Sequence, residues 1–185
     1  MKTVAAMKTL VEWDNRGRAV FSVEDLRAIF PEWSRKTFAM RLNRLVRQGV
    51  LEHVARGVYV NPLARSRTHV LEEIAVTLRR RATSYLSLET ALGDYSIISQ
   101  QTIACVTVMT TGRKGRFNTP YGTIAFTHTR RSVGEILDRT ADVGRPLRMA
   151  HPRLALEDLR RVGRNLDLVD TEELAAIEEE MGLAA

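Results

Sequence analysis

The chain has 185 residues, 44% hydrophobic and 27% charged, with 28 Lys+Arg against 22 Asp+Glu for a net charge of +6. That is enough apolar material for a core, and enough length for two small domains or one medium one. No apolar run approaches the ~18–20 residues of a membrane span, and Met1-Lys2-Thr3 leads into an amphipathic pattern rather than the apolar segment of a secretion signal, so the composition argues against a membrane or secreted protein and for a cytoplasmic one.

In chain order, Val4, Met7, Leu10 and Val11 recur at helical spacing and predict an amphipathic helix over residues 2–13, with these four as its apolar stripe. Ala19-Val20-Phe21 can form a short strand. Ser22-Val-Glu-Asp25 has the pattern of a capping box, and Leu26, Ile29 and Phe30 then form an apolar stripe that Pro31 ends. The turn Pro31-Glu32-Trp33 leads to Ser34, a good N-cap, with Thr37 at N3.

The helix that follows is the most informative segment. Phe38, Leu42, Leu45 and Val46 share one face by the i, i+4, i+7, i+8 rule. Lys36, Thr37, Met40, Asn43, Arg44 and Arg47 fall opposite, and Gly49 stops the helix as a C′ glycine. The outward face is thus cationic and able to hydrogen-bond. Lys and Arg neutralise phosphates, while Arg and Asn make paired contacts to guanine and adenine edges. Downstream, Val50–Ala55 and Val58–Val60 flank Arg56-Gly57, a hairpin turn with Arg56 at its tip, where an arginine can enter a minor groove. Helix, strand, helix, helix, strand, strand predicts a winged helix-turn-helix over residues 1–62. Its expected DNA-contacting residues are Ser34, Arg35, Lys36, Thr37, Met40, Arg41, Asn43, Arg44, Arg47 and Arg56. A basic helix face alone has a plainer explanation, a solvated surface helix; the flanking elements favour DNA.

Leu63–Thr68 is the expected linker to a second domain over residues 69–185. Val70, Leu71, Ile74, Ala75 and Leu78 form a helical stripe ending in Arg79-Arg80-Arg81, whose charge complements a helix C-terminus. Tyr85-Leu86 leads to Ser87, an expected N-cap for a helix through Leu88, Ala91 and Leu92 that Gly93 would stop. Thr102–Thr110 has the β-branched content of a buried strand, and Cys105 within it is expected to be a core residue. A turn over Thr111–Arg116, a strand over Gly122–Thr127, a short helix over Val133–Leu137 and helices over 152–162 and 170–181 follow, with Asp170 as the last N-cap. The predicted class is α+β: a winged helix-turn-helix followed by a smaller mixed α/β domain.

Charge follows the same division. Residues 1–66 carry 12 Lys+Arg and 6 Asp+Glu, residues 67–155 carry 13 and 7, and residues 156–185 carry 3 and 9. The cationic surface therefore extends beyond the first domain, and the last thirty residues are acidic, as either a shield for that surface or a solvated terminal helix.

Catalytic patterns are absent. The four lysines, Lys2, Lys8, Lys36 and Lys114, do not stand two residues after a glutamate, as a restriction-type nuclease site would want. Glu89, Asp94, Asp138 and Asp158 are spaced without a site, and His53, His69, His128 and His151 form no i, i+4 metal-ligand pair. No phosphate-binding loop, nucleophile elbow or dinucleotide fingerprint occurs. The expectation is a protein that is not an enzyme and needs no cofactor or metal. Gly112-Arg113-Lys114-Gly115 matches the four-residue loop of KH-type RNA binders, but there the loop joins two helices and here it follows a strand.

Tyr85-Leu-Ser-Leu-Glu-Thr-Ala-Leu92, the strand–basic turn–strand, and Met149-Ala-His-Pro-Arg-Leu-Ala-Leu-Glu-Asp-Leu159 together resemble the C-terminal domain of AbiEi-type antitoxins, the antitoxin half of type IV toxin–antitoxin pairs. Gly49-Val-Leu-Glu-His-Val-Ala-Arg-Gly-Val-Tyr-Val60 is similar to the wing of the same family. The resemblance implies a repressor that binds inverted repeats in its own promoter, upstream of an operon encoding a nucleotidyltransferase-like toxin. It also implies a second domain that counters this toxin, not necessarily by stable binding. Arg113, Lys114 and Arg116 are then either solvated turn charge or a contact loop for the toxin or nucleic acid. Two other classes stay open on the sequence: a stand-alone winged-helix regulator with a sensing or interaction domain, and a nucleic-acid enzyme.

Overall fold

The computed structural model describes residues 2–65, 68–99 and 104–182, so Thr102 and Ile103 of the expected strand lie outside the described residues. The chain divides into two compact units, residues 1–78 and 79–185, and is mixed α+β in both. No helix among the described residues is long and apolar enough to cross a membrane.

The first unit runs α1 (Lys2–Asp14), β1 (Val20–Ser22), α2 (Val23–Ile29), α3 (Arg35–Arg47), β2 (Glu52–Ala55), β3 (Val58–Val60) and α4 (Val70–Leu78). Its three-stranded antiparallel sheet has the order β1-β3-β2. Up to β3, this is the order and pairing expected of a winged helix-turn-helix. The capping box at Ser22 is complete: the Ser22 hydroxyl accepts from the Asp25 N–H at 3.1 Å, and the Asp25 carboxylate accepts from the Ser22 N–H at 2.8 Å. One core of Ala6, Leu10, Phe21, Leu26, Phe30, Phe38, Leu42, Leu45, Val50 and Leu51 ties α1, β1, α2 and α3 together.

Two expectations need correction in this unit. Of the apolar stripe expected on α1 only Leu10 is buried: Val4, Met7 and Val11 are 56%, 37% and 50% exposed, and Ala6 joins Leu10 in the core instead. The compact division also falls after Leu78, not in the expected linker at 63–68, because α4 packs on β1 and β3.

The second unit contains β4 (Ser84–Leu86), α5 (Leu88–Asp94), β5 (Cys105–Thr110), β6 (Gly115–Thr119), β7 (Gly122–His128), α6 (Val133–Asp138), β8 (Thr140–Ala141), β9 (Arg148–Ala150), α7 (Pro152–Val162) and α8 (Thr171–Glu180). Expected to be the smaller part, it is the larger, with a six-stranded mixed sheet in the order β6-β7-β5-β4-β9-β8. β5 pairs parallel with β7 and β4 parallel with β9; the other pairs are antiparallel. The expected turn over 111–116 is shorter, since β6 begins at Gly115 and Arg116 is a strand residue. Cys105 is half-buried rather than a core residue. Gly93 lies inside α5, which continues to Asp94. Asp170 caps α8 as expected, accepting from the N–H groups of Glu172 and Glu173.

Candidate nucleic-acid interface

The outward face of α3 is positioned by what its inward face buries. Phe38, Leu42 and Leu45 are 3–4% exposed and sit in the common core. At the C-terminus, the Gly49 N–H donates to the Val46 carbonyl and the Val50 N–H to the Leu45 carbonyl, both at 3.0 Å. This Schellman closure requires the left-handed backbone at Gly49, φ +68°, which a glycine adopts without the clash a Cβ would bring. At the N-terminus the expected cap is altered. The Ser34 hydroxyl makes no capping bond and instead pairs with the Thr37 hydroxyl at 2.9 Å.

With the core side fixed, Arg35, Lys36, Met40, Asn43, Arg44 and Arg47 are exposed, and Thr37 and Arg41 are half-buried. Arg41 departs from the rest because its guanidinium lies 5.6 Å from the centre of the Trp33 ring. Trp33 in turn stacks on Phe30, with centroids 4.2 Å apart and planes 7° from parallel. The turn between α2 and α3 is thus an aromatic hinge that carries Arg41 on its outer side. On the wing, Gly57 has φ +75° and its carbonyl accepts from the Val23 N–H at 3.0 Å, which pins the β2–β3 turn to the start of α2. Arg56 beside it is exposed.

Ion pairing within the described residues leaves the cations of this face free, as it does exposed Arg81, Arg113, Lys114, Arg116, Arg130 and Arg160 of the second unit. Among the described residues, Arg35, Lys36, Arg44, Arg47 and Arg56 take part in no ion pair. In the second unit many arginines are instead spent internally. Arg139 bonds Glu157 at 2.7 Å, Arg145 pairs with Asp94, Arg153 bonds Glu178 at 2.7 Å and Arg164 bonds Glu89 at 2.6 Å. The Glu157 carboxyl is held below the usual glutamate range, chiefly by its hydrogen bond from Arg139. Glu89 is also held low: burial opposes its charge, and Arg164 and Asn165 outweigh it. A basic middle segment is therefore a poorer guide to partners than net charge alone suggested.

Arg113, Lys114 and Arg116 are exposed at the β5–β6 turn and the start of β6. Arg79 packs beneath this turn, 4.4 Å from the Phe126 ring centre and 5.1 Å from that of Phe117, and donates from Nε to the Arg113 carbonyl at 3.0 Å. Arg79 thus fixes the turn at Arg113, whereas Arg116 of β6, opposite Ala125 of β7, alternates to the other face from Phe117 and lines a cavity with Ala125, Glu89 and Arg164.

The most buried polar cluster went unnoticed in the sequence. Asp158 of α7 is fully buried and accepts from the Tyr85 hydroxyl at 2.9 Å, the Ser87 hydroxyl at 2.8 Å and Arg131 at 2.5 Å. Ser87 accordingly does not cap α5 with its side chain. Burial, and then the Asp158 charge, push the Tyr85 phenol above its ordinary value, so it stays a donor. Burial works against the Arg131 charge, but Asp158 more than compensates. An aspartate at helical spacing from Leu154 and Ala155 was the available signal, since an acid on an apolar stripe needs a buried partner. Among the described residues no group of three or more His, Cys, Asp or Glu could hold a metal ion.

Residues 8–62 match the family model AbiEi_4, described as "Transcriptional regulator, AbiEi antitoxin". The matched span runs from within α1 to just past β3 and so contains α3 and the wing. It agrees with the resemblance read from the sequence over this part of the chain. No curated protein matches the chain.

Proposed function

We propose that this protein is a cytoplasmic DNA-binding antitoxin of a type IV toxin–antitoxin pair that represses its own operon. Residues 1–62 form the DNA-binding domain. α3 enters the major groove of a promoter half-site, with Lys36, Asn43, Arg44 and Arg47 facing the duplex and Ser34, Arg35, Thr37, Met40 and Arg41 around them. Arg56 reaches the neighbouring backbone or minor groove from the wing. The observation that carries this reading is the row of exposed, unpaired cations on a helix whose other face is anchored in the core. The family match over residues 8–62 supports transcriptional regulation and the antitoxin class.

One helix reads only a few base pairs, so useful specificity needs two half-sites about one helical turn apart, ~34–36 Å. Protein bound there excludes polymerase without any catalytic residue. The second unit, with Arg113 and Lys114 at its β5–β6 turn and Arg116 on β6, counters a nucleotidyltransferase-like toxin.

The test is a binding titration with duplex from upstream of the gene. Arg44→Ala should weaken it by ~1–3 kcal/mol, roughly 5- to 150-fold, and relax preference at one base position. Unchanged affinity in both Arg44→Ala and Lys36→Ala would refute the assignment of α3. Antitoxin activity is checked separately, by whether the chain restores growth to cells expressing the adjoining toxin gene.

A further inference from the structure

A cleft opens beside the outward face of α3. It has a volume of about 370 Å³ and lies between the N-terminal turn of α1, at Thr3, and the α3 residues Thr37, Met40, Arg44 and Arg47. Trp33 and the core residue Leu45 give it an apolar wall. Met40, 61% exposed, stands at its edge. Trp33 and Arg41 also line a second cavity, where Glu32 is the one lining acid among the described residues. The first cavity is lined by three arginines, Arg41, Arg44 and Arg47, and by no carboxylate among the described residues. Its size falls in the range of small-ligand sites, and an apolar wall with a few converging charges is their usual make-up.

We propose that this cleft is an effector site for a flat, apolar organic anion, and that its occupant excludes DNA. The apolar body lies against Met40, Leu45 and the edge of Trp33, whose ring already carries Phe30 and Arg41, and the anionic group meets the Arg44 and Arg47 guanidinium groups. The charge pattern selects the class: a neutral apolar ligand would leave the arginines without a partner, and a small inorganic anion would leave the apolar wall wet. Exclusion follows because Thr37, Met40, Arg44 and Arg47 would serve both ligand and duplex. This rests on the DNA reading of α3 and adds to it a way of lifting repression.

The test uses the full chain and 2-naphthoate as probe. Calorimetry measures its affinity, and the Trp33 indole resonance, distinguished from that of Trp13 with a Trp13→Phe variant, reports the place of binding. With naphthoate at ten times its dissociation constant, competition raises the apparent duplex dissociation constant roughly tenfold. Acetate at equal concentration controls for ionic strength and should leave it near its starting value. Thr3→Trp fills the cleft from α1; it should lose naphthoate binding, weaken duplex binding because the new ring covers the same α3 residues, and leave what duplex binding remains insensitive to the probe. Absence of naphthoate binding, a Trp33 resonance that does not move, or a fall in duplex affinity no larger than in acetate would each overturn the proposal. Failure to bind duplex even without naphthoate refutes the DNA reading itself, and the exclusion with it. Duplex binding without naphthoate binding refutes the cleft alone.

Discussion

Raising KCl from 50 to 200 mM should release the protein from its operator by a predictable factor. Five exposed cations free of ion pairs among the described residues, Arg35, Lys36, Arg44, Arg47 and Arg56, face solvent on α3 and the wing. If each displaces one condensed counterion from the duplex, at a phosphate or, as for Arg44, at a base edge beside one, the slope of log K against log salt is about −4.5, since each contributes about −0.9 on duplex DNA. Over a fourfold change in salt that slope costs roughly 2.7 decades, about a 500-fold loss of affinity. Arg47→Ala should bring the slope to about −3.6, and Arg56→Ala should do the same with little change in sequence preference. Arg41→Ala should alter it less, because its guanidinium already lies over Trp33. Fluorescence anisotropy with a labelled duplex, repeated at five salt concentrations, gives all of these slopes. A wild-type slope near zero would refute the electrostatic reasoning. A slope unchanged in Arg47→Ala would remove that residue from the interface.

Other expectations concern the second unit. Asp158→Ala leaves the Tyr85 and Ser87 hydroxyls without their buried acceptor, while Arg131 keeps the more exposed Glu135 and Glu157, and should destabilise the chain by ~1–3 kcal/mol in urea unfolding. Asp158→Asn, which keeps an acceptor for Tyr85 and Ser87, should cost less, and a loss below about 1 kcal/mol in the alanine variant would show that the cluster is dispensable. Changing Arg113, Lys114 and Arg116 together to alanine should spare operator binding and impair toxin neutralisation; full rescue of growth by this variant would exclude the turn as a contact. Acid should weaken the fold. Glu89 and Glu157 are held below the ordinary glutamate value of 4.5, so the unfolded chain takes up protons first as pH falls. Their contribution is present above about pH 4.5 and is lost as pH drops through their lower folded values. A urea midpoint that stays constant from pH 6 to pH 3 would contradict those pairings.

The structure also shows where local pattern was a sufficient guide. The face of α3, the capping box at Ser22 and the closure at Gly49 depend on residues within a few positions of one another. Helical spacing therefore placed Phe38, Leu42 and Leu45 inward and Lys36, Asn43, Arg44 and Arg47 outward before any fold was known. The same spacing failed on α1, where two flanks were apolar enough to be buried. Only the neighbouring helices decide between Ala6 with Leu10 and the exposed set Val4, Met7 and Val11. Arg41 shows an intermediate case: its place on the wheel was readable, but its seat over Trp33 depends on how the α2–α3 turn folds.

Sequence by itself determined the short-range features of this protein: which segments are helix or strand, where several of them stop, and that one helix presents a basic face. Tertiary structure decided what that charge is free to do. Arg164 meets Glu89 across 75 positions, and Tyr85 meets Asp158 across 73. Pairings at such separations leave no periodic trace in the chain, because they arise only when loops close and buried charges must find partners. The arginines of α3 escaped that fate for a physical reason equally invisible in the sequence: no carboxylate among the described residues folds within ion-pair distance of them.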